Sequence, residues 1–209
     1  MIIIDEERAS DSPFVERIWR SHSEGVLSMR KVIAGLFITL DGVVESPDKW
    51  QEHFDEDMGQ AMMEQLASQD AVLLGRVTYQ EWASYWPTAT DEPFASFINS
   101  TPKYVFSTTL ESVEAWQNST LVKGDLAQEI ARLRQQPGKN IGTAGSPTLV
   151  RSLLEQGLLD ELILLVHPVV AGSGKRLFKD GDSLKRLNLL SAKPTRTGTV
   201  ILTYQPRKA

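Results

Sequence analysis

The sequence predicts an α/β fold with a mixed, mostly parallel central sheet flanked by helices. Short apolar runs typical of buried strands alternate with segments whose apolar residues recur at helical spacing, and this alternation is typical of βαβ units. The end of the chain breaks this alternation, because residues 185–196 and 199–204 read as two strands joined at Thr197-Gly198. We therefore expect an antiparallel hairpin to close the sheet at its C-terminal end.

The first 28 residues differ in character from the rest of the chain. They carry six acidic and three basic residues, and the polar stretch 21–28 reads as a linker. Asp11-Ser12-Pro13 can begin a short helix, since proline is favoured in the first turn. We expect residues 1–28 to form an N-terminal extension, partly disordered or with a short helix, and residues 29–209 to form one domain.

Composition narrows the possible functions. The chain has 209 residues, a net charge of −5 and a hydrophobic content of 41%, which suffices for a buried core. The acidic balance argues against a nucleic-acid-binding protein. No apolar run reaches the roughly 20 residues needed to cross a bilayer. The absence of cysteine excludes disulfides and thiolate catalysis. We expect a cytoplasmic protein whose partners include neither nucleic acid nor membrane.

Three enzyme classes are disfavoured by spacing. The histidines His22, His53 and His167 lie far apart and lack the i, i+4 spacing of a helical zinc pair, so we expect no metal site. The turn Gly172-Ser173-Gly174-Lys175 lacks the first glycine and the final hydroxyl residue of a Walker motif. It also lacks the glycine spacing of a hydrolase nucleophile elbow.

The first predicted strand, residues 32–40, is apolar nearly throughout, which indicates a central position in the sheet. It ends at the turn Asp41-Gly42, and an irregular polar stretch follows. Residues 56–67 then suit an amphipathic helix with methionines on its apolar side. These methionines are more typical of core packing than of ligation.

The next two strands end in side chains that suit a phosphate. Residues 70–75 form a buried strand that ends at Gly75, and Arg76 and Thr78 open the following helix. A guanidinium and a hydroxyl at a helix N-terminus can bind phosphate, although a plain helix start with a solvated arginine explains the pattern equally well. Ser107 and Thr108 follow the third strand, where hydroxyl residues are either turn formers or ligands.

The stretch 140–178 carries the strongest pattern. A small-residue loop from Gly142 to Pro147 lies between a short strand and a helix whose apolar residues Leu149, Val150, Leu153 and Leu154 form one stripe. The first amides of a helix have no internal partners, so this loop is a ready anion site. We expect it to hold the phosphates of a dinucleotide.

Six motifs in order resemble a known superfamily: TLDG (39–42), LLGRVTY (73–79), KYVFST (103–108), AGSPTLV (144–150), LLDEL (158–162) and PVVAGSGKRLF (168–178). Together they resemble the dihydrofolate-reductase-like superfamily, and within it the reductase domain of bacterial riboflavin biosynthesis and its single-domain relatives. The resemblance runs from about residue 29 to residue 206. It implies a dihydrofolate-reductase-like fold, NADPH as cofactor and a homodimer.

The resemblance also implies roles for individual residues. Gly75, Arg76 and Thr78 would contact the adenosine half of NADPH, and Ser107 and Thr108 would lie near its 2′-phosphate. The pyrophosphate would be held by Gly145, Ser146 and Thr148. The chain departs from the usual double glycine of this loop, since it reads Thr143-Ala144-Gly145-Ser146, and the departure is expected to loosen or shift the phosphate contact.

The implied reaction is hydride transfer to a small pterin- or pyrimidine-like heterocycle. Thr39 and Asp41 would lie near the nicotinamide and the substrate, and Trp50 and Phe54 could stack on the substrate ring or pack under the loop. Asp41 is our first choice of proton donor because it directly follows a central strand, although an aspartate that stabilises its own turn fits as well. A catalytically silent nucleotide-binding or regulatory module of the same fold is the alternative.

Overall fold

The computed structural model describes residues 29–207, and the prediction for residues 1–28 lies outside this range. The described chain forms eight strands and five α-helices. The strands are β1 Val32–Thr39, β2 Gln69–Gly75, β3 Lys103–Phe106, β4 Ser119–Val122, β5 Asn140–Ala144, β6 Glu161–His167, β7 Leu187–Pro194 and β8 Val200–Pro206. The helices are α1 Glu56–Ala67, α2 Arg76–Ala83, α3 Phe94–Ser100, α4 Leu126–Arg134 and α5 Pro147–Glu155.

The eight strands form one sheet in the order β4-β3-β2-β5-β1-β6-β8-β7. The first six in this order pair in parallel, whereas β8 runs antiparallel to β6 and β7 antiparallel to β8. The predicted mixed sheet with a C-terminal antiparallel hairpin is therefore confirmed. Strand β1 is paired on both edges, with β5 and β6, and side chains pack on both of its faces, as its apolar sequence predicts.

Alternation along β1 divides the core between two faces of the sheet. Val32, Ala34, Leu36 and Ile38 face the side covered by α4 and α5, including the four buried residues of the predicted α5 stripe. Phe37 faces the opposite side, where Met58 of α1 packs with Leu165 and Ile201. Each fully buried aliphatic side chain contributes about 1.5–3 kcal/mol, so these two layers fix the sheet and with it the edge described below.

Lys103, the first residue of β3, is fully buried. Its ammonium donates hydrogen bonds to the carbonyl oxygens of Ile98 and Thr101 at 2.8 and 3.0 Å and lies 4.6 Å from the centre of the Trp116 ring. Burial lowers the pKa of Lys103 to about 8, because the charged form loses its hydration. The sequence alone gave no sign of this, since KYVF reads simply as a strand.

We predict that Lys103 makes stability pH-dependent in the alkaline range. Its folded pKa lies below the unfolded value of about 10.4, so between these two values the unfolded chain binds more protons. Between about pH 8 and about pH 10.4, the free energy of unfolding of the wild type minus that of Lys103→Met should therefore increase with pH. Urea denaturation at four pH values measures this difference, with exposed Lys123→Met as the control. A difference that stays constant across the range would contradict the prediction.

Candidate active site

The candidate site lies along one edge of the sheet, where the carboxyl ends of the parallel strands meet. The loops that leave β1, β2, β3, β5 and β6 all begin at this edge, because parallel strands end on the same side. The structure therefore brings three predicted groups to one edge: Thr39 and Asp41 after β1, Gly75, Arg76 and Thr78 after β2, and Gly145, Ser146 and Thr148 after β5. Ser107 and Thr108 follow β3 at the same edge.

The Ser146 hydroxyl joins two of these loops. Its oxygen accepts a hydrogen bond from the Gly75 amide at 2.8 Å, and its proton is donated to Thr78 Oγ1, also at 2.8 Å. Gly145 and Ser146 have φ values of 57° and 56°, a left-handed conformation that glycine adopts freely and serine only at some cost. Ser146 is buried, and its hydroxyl is engaged in hydrogen bonds within the protein. The Thr78 hydroxyl accepts one of these bonds, so its own proton is available to another acceptor.

Two of the helices that start at this edge, α2 and α5, differ from the other helices in how they begin. In α1, α3 and α4 a carboxylate accepts a hydrogen bond from an amide of the first turn, and the three carboxylates are those of Asp55, Glu92 and Asp125. Helices α2 and α5 have no capping side chain and no acidic residue in the first turn. Their first amides and the positive end of the helix dipole are therefore available to an anion.

The remaining predicted cofactor residues lie close to these helix starts. Arg76 is exposed, and its guanidinium donates a hydrogen bond to Gln80 Oε1 at 2.8 Å. Thr148 in α5 and Thr108 after β3 are also exposed. The Ser107 hydroxyl accepts hydrogen bonds from the amides of Thr109 and Leu110, which closes a turn at the end of β3. Arg76, Thr108 and Thr148 are therefore accessible to a ligand.

The Asp41 carboxylate joins the loop after β1 to the loop after β6. Its oxygens accept hydrogen bonds from Thr39 Oγ1 at 2.6 Å and from the amides of Ala171 and Gly172 at 3.0 and 2.9 Å. Arg176 adds an ion pair at 3.3 Å and also donates to the carbonyl oxygen of Asp41. The motifs 39–42 and 168–178, which are far apart in sequence, therefore form one unit.

This environment does not suit Asp41 as a proton donor. The hydrogen bond from Thr39, followed by those from the two amides, holds the pKa of the Asp41 carboxyl far below its usual range. The pKa of Glu45 is also lowered, by the hydrogen bond and charge of Lys175. Burial alone would raise the pKa of Asp55, but its hydrogen bonds from Met58 and Thr197 outweigh burial and lower it. All three carboxylates are ionised at neutral pH.

Trp50 and Phe54, predicted to contact substrate, lie at different depths. The Trp50 indole donates a hydrogen bond to the Glu45 carbonyl oxygen at 2.9 Å, and its ring lies 5.4 Å from the ring of His167. Phe54 is 48% exposed, with its ring 6.5 Å from that of Phe37. His167 itself is buried, and burial lowers the pKa of its imidazole, so it is neutral. Phe54 is thus the more accessible of the two rings.

A cavity of about 430 Å³ lies between α1 and the sheet and reaches the carboxyl edge at Gly145. We call it the inner cavity. Gly35 lies at its floor, Ala61 and Gln65 of α1 form its roof, and Phe37 and Trp82 are among its walls. This volume is within the range of small-molecule sites, and the lining is mainly apolar with a few polar groups, as such sites usually are.

Within residues 29–207, no helix is long and apolar enough to span a membrane. The same part of the chain contains no group of three or more histidine, aspartate or glutamate side chains placed to hold a metal ion.

The sheet order and the edge site define a protein of dihydrofolate-reductase-like fold. More specifically, the chain belongs to the RibD C-terminal domain family, whose sequence model matches residues 30–201. It is 30% identical over 184 residues to YyaP of Bacillus subtilis, described as an uncharacterised protein, and this match covers 85% of the chain and 96% of YyaP.

Solved structures agree with this fold. A putative riboflavin biosynthesis protein from Shewanella sp. PV-4 matches with a TM-score of 0.71 at 20% identity, over 85% of this chain and 99% of that one. Dihydrofolate reductase from Enterococcus faecalis, solved as a complex with NADP(H), matches with a TM-score of 0.60 at 12% identity, over 85% of this chain and 97% of that one. At these levels of identity, the similarity shows a shared fold.

Sequence reasoning missed several residues of the site. Arg176 and Lys175 pair with Asp41 and Glu45, yet the sequence pointed to them only as the end of an imperfect Walker pattern. Trp82, which lines the inner cavity, gave no signal beyond its place in a helix, and Gln69, which also lines it, lies one residue before the predicted strand 70–75. The segment GSGKR at residues 172–176, which follows an apolar strand, was the one available hint.

We predict that Ser146→Ala lowers the free energy of unfolding by about 1–3 kcal/mol, because it leaves the Gly75 amide without its partner. Ser146→Gly should cost less, since it removes the same bond but relieves the left-handed strain. Urea denaturation of both variants tests this, with exposed Thr148→Ala as the control. If Ser146→Ala were as stable as Thr148→Ala, the bridge would contribute nothing to the fold.

Proposed function

We propose that this protein is an NADPH-dependent reductase that transfers a hydride to a small heterocyclic substrate, pterin- or pyrimidine-like. The observation that carries the proposal is the pair of uncapped helix starts, α2 and α5, held together at the carboxyl edge by the Ser146 hydroxyl. Membership in a reductase-type family and a fold neighbour complexed with NADP(H) support the same conclusion.

The residues at the edge fit a dinucleotide phosphate. In the proposed arrangement the amides at Gly145, Ser146 and Thr148 hold the pyrophosphate. The Ser146 side chain contributes indirectly, by fixing Thr78, whose hydroxyl proton remains free for the cofactor. Arg76 and Gly75 lie beside the adenosine half, and Ser107 and Thr108 lie near the 2′-phosphate. No acidic residue in the first turn of α2 or α5 opposes the negative charge.

The inner cavity supplies the place for the hydride acceptor. It is mainly apolar and meets the cofactor edge at Gly145, so an acceptor ring inside it would lie beside a nicotinamide bound at that edge. The reduced nicotinamide supplies the hydride, and the protein orients the two rings and excludes water between them. Phe37 and Trp82 provide flat walls for an aromatic acceptor.

The accompanying proton comes from a group other than Asp41, Glu45 or Asp55. Hydride addition to a C=N carbon requires a proton at nitrogen, and all three carboxylates are held ionised by hydrogen bonds. We assign Asp41 and Thr39 a positioning role instead. Their hydrogen bonds hold the loop after β1 against the loop after β6, beside the substrate and nicotinamide.

The ionised state of these three carboxylates also favours a second candidate function. A nucleotide-binding or regulatory module that retains the fold without turnover has no need of a proton donor. Under this alternative NADPH binds saturably but is not oxidised with any pterin or pyrimidine. Binding and turnover measured on the same sample separate the two candidates.

We predict that NADPH raises the melting temperature progressively with its concentration, by an amount equivalent to about 2.7 kcal/mol at one hundred times its dissociation constant. Arg76→Ala and Ser107→Ala should each reduce the preference for NADPH over NADH by about 10-fold or more, because charge-assisted hydrogen bonds contribute about 1.5–3 kcal/mol. Tryptophan fluorescence titrations with both cofactors measure this preference.

Arg132→Ala is the matched control, because Arg132 pairs with Glu129 on α4, on the opposite face of the sheet. An unchanged preference in both test variants would remove the proposed 2′-phosphate site. Absence of any saturable NADPH binding would remove the proposed function altogether.

We also propose a homodimer that buries the outer surface of β7. Leu189 and Leu190 of this edge strand are 54% and 53% exposed, and Leu184 just before it is 77% exposed. Exposed apolar side chains grouped at a sheet edge are typical of an interface between chains. Sedimentation equilibrium should give twice the mass of one chain, and Leu190→Lys should reduce it to that of one chain. A wild type that sediments as one chain would exclude the dimer.

A further inference from the structure

Helix α1, which forms the roof of the inner cavity, has few apolar contacts of its own. Only Met58 and Leu66 are buried among its twelve residues, whereas α5 buries four of its nine residues. The inner cavity takes the place of the missing contacts, since it lies between α1 and the sheet. The height of the roof above the sheet therefore depends on how the two ends of α1 are fixed.

The C-terminal end of α1 is joined directly to the sheet. Ser68 follows the helix, and β2 begins at the next residue, Gln69. The carbonyl oxygen of Ser68 accepts a hydrogen bond from the Asn140 amide of β5 at 3.1 Å. The carbonyl oxygen of Ala67 accepts one from Lys139 Nζ at 2.9 Å. The sheet itself therefore fixes this end of the roof.

The N-terminal end of α1 is held by the turn between β7 and β8. We call this contact the clasp, and it joins Asp55 and Asp57 to Arg196 and Thr197. One oxygen of the Asp55 carboxylate caps α1 by accepting a hydrogen bond from the Met58 amide at 2.9 Å. The other oxygen accepts bonds from the amide and the hydroxyl of Thr197 at 3.0 and 2.8 Å. The Arg196 amide donates to the Asp57 carboxylate at 3.1 Å.

The Asp55 carboxylate carries most of the clasp. It is half-buried and ionised, and hydrogen bonds to an ionised carboxylate are stronger than those between neutral groups. The Arg196 guanidinium also pairs with Glu56, but these side chains are 69% and 80% exposed, so that this ion pair contributes little. One carboxylate therefore both starts the roof helix and binds it to the hairpin.

The turn that supplies these donors is fixed relative to the sheet. The Thr195 amide donates a hydrogen bond to the Thr199 carbonyl oxygen at 2.8 Å, and Gly198 adopts the left-handed φ of 89° that closes the turn. Directly after the turn, Val200 of β8 pairs with Val166 of β6. The clasp thus ties the start of α1 to the strands beneath it.

A flat acceptor in the inner cavity contacts the roof and the floor at once. Ala61 lies in the roof and Gly35 at the floor. Van der Waals attraction weakens steeply when a gap of a fraction of an ångström opens, so a raised roof loses its contact with one face of the ring. The cofactor edge is formed by the starts of α2 and α5, neither of which belongs to the roof.

We propose that the clasp sets the height of the roof over the hydride acceptor, with Asp55 and Thr197 as positioning residues. This inference rests on the proposed reductase function and adds to it a control of acceptor affinity from outside the cavity, since neither residue lines it. Acceptor binding depends on the β7–β8 turn, whereas NADPH binding does not.

The substitution Asp55→Asn separates the clasp from the helix cap. Asparagine keeps one oxygen for the Met58 amide and caps helices about as well as aspartate. Its NH2 group cannot accept the two hydrogen bonds from Thr197. Asp125→Asn is the matched control, because the Asp125 carboxylate caps α4 through the Gln128 amide and accepts no other hydrogen bond within residues 29–207.

Hydrogen exchange of the backbone amides measures the roof directly. In Asp55→Asn the amides of residues 58–66 should exchange at least about fivefold faster than in the wild type, which is the effect of one ordinary hydrogen bond. Exchange in β1 and β5 should not change. Asp125→Asn should leave exchange in α1 as it is in the wild type.

Equilibrium dialysis of pterin, a flat two-ring probe, against the NADPH-loaded protein measures the effect on an acceptor. Asp55→Asn should weaken pterin binding by about fivefold or more, while its NADPH affinity, measured by tryptophan fluorescence, stays unchanged. Thr197→Val should also weaken pterin binding, because it removes the hydroxyl at nearly constant volume. Thr197→Ser keeps the hydroxyl and should bind pterin like the wild type.

Unchanged exchange in α1 of Asp55→Asn would overturn the proposal, because the clasp would not hold the roof. Faster exchange with unchanged pterin affinity, an equal loss of pterin and NADPH affinity, or no saturable pterin binding by the wild type would each overturn it as well. If NADPH still raises the melting temperature of the wild type in these cases, the proposed reductase function stands without this control.

Discussion

The placement of β1 between β5 and β6 is the constraint on which the candidate site depends. Parallel pairing on both sides of β1 sends the loops after all three strands to one edge. There Asp41 binds the loop after β6, and the loop after β5 meets the loop after β2 through Ser146. The sheet therefore determines which loops can touch, and single polar side chains then determine how they touch.

The sequence predicted the parts of this arrangement that depend on local pattern. The apolar run of β1, the stripe of α5 and the alternation that ends in a hairpin are all visible within a few residues, and the structure confirms them. Contacts between distant residues were not visible. Ser146 meets Gly75 across 71 positions, and Asp41 meets Arg176 across 135. Periodicity carries no information about such pairs, so the same aspartate looked like a proton donor.

Two neighbouring parts of the site carry charge of opposite sign. At the starts of α2 and α5 the chain omits the acidic caps that it uses elsewhere, which leaves positive helix ends exposed. Around Trp82, by contrast, carboxylates accumulate without basic partners. The two neighbouring regions therefore differ in the sign of their potential, so that an anionic group is favoured at the helix starts and disfavoured beside Trp82.

The serine in the phosphate loop illustrates how a departure from a family pattern can be compensated. A left-handed serine costs about 1–2 kcal/mol compared with glycine, which explains the expectation of a looser loop. Yet Ser146 gains two hydrogen bonds of about 1 kcal/mol each, so strain and gain nearly cancel. The result is a loop fixed to Thr78 rather than one free to adapt. A phosphate approaching this edge would meet amides already in position, so that less ordering remains to be done on binding.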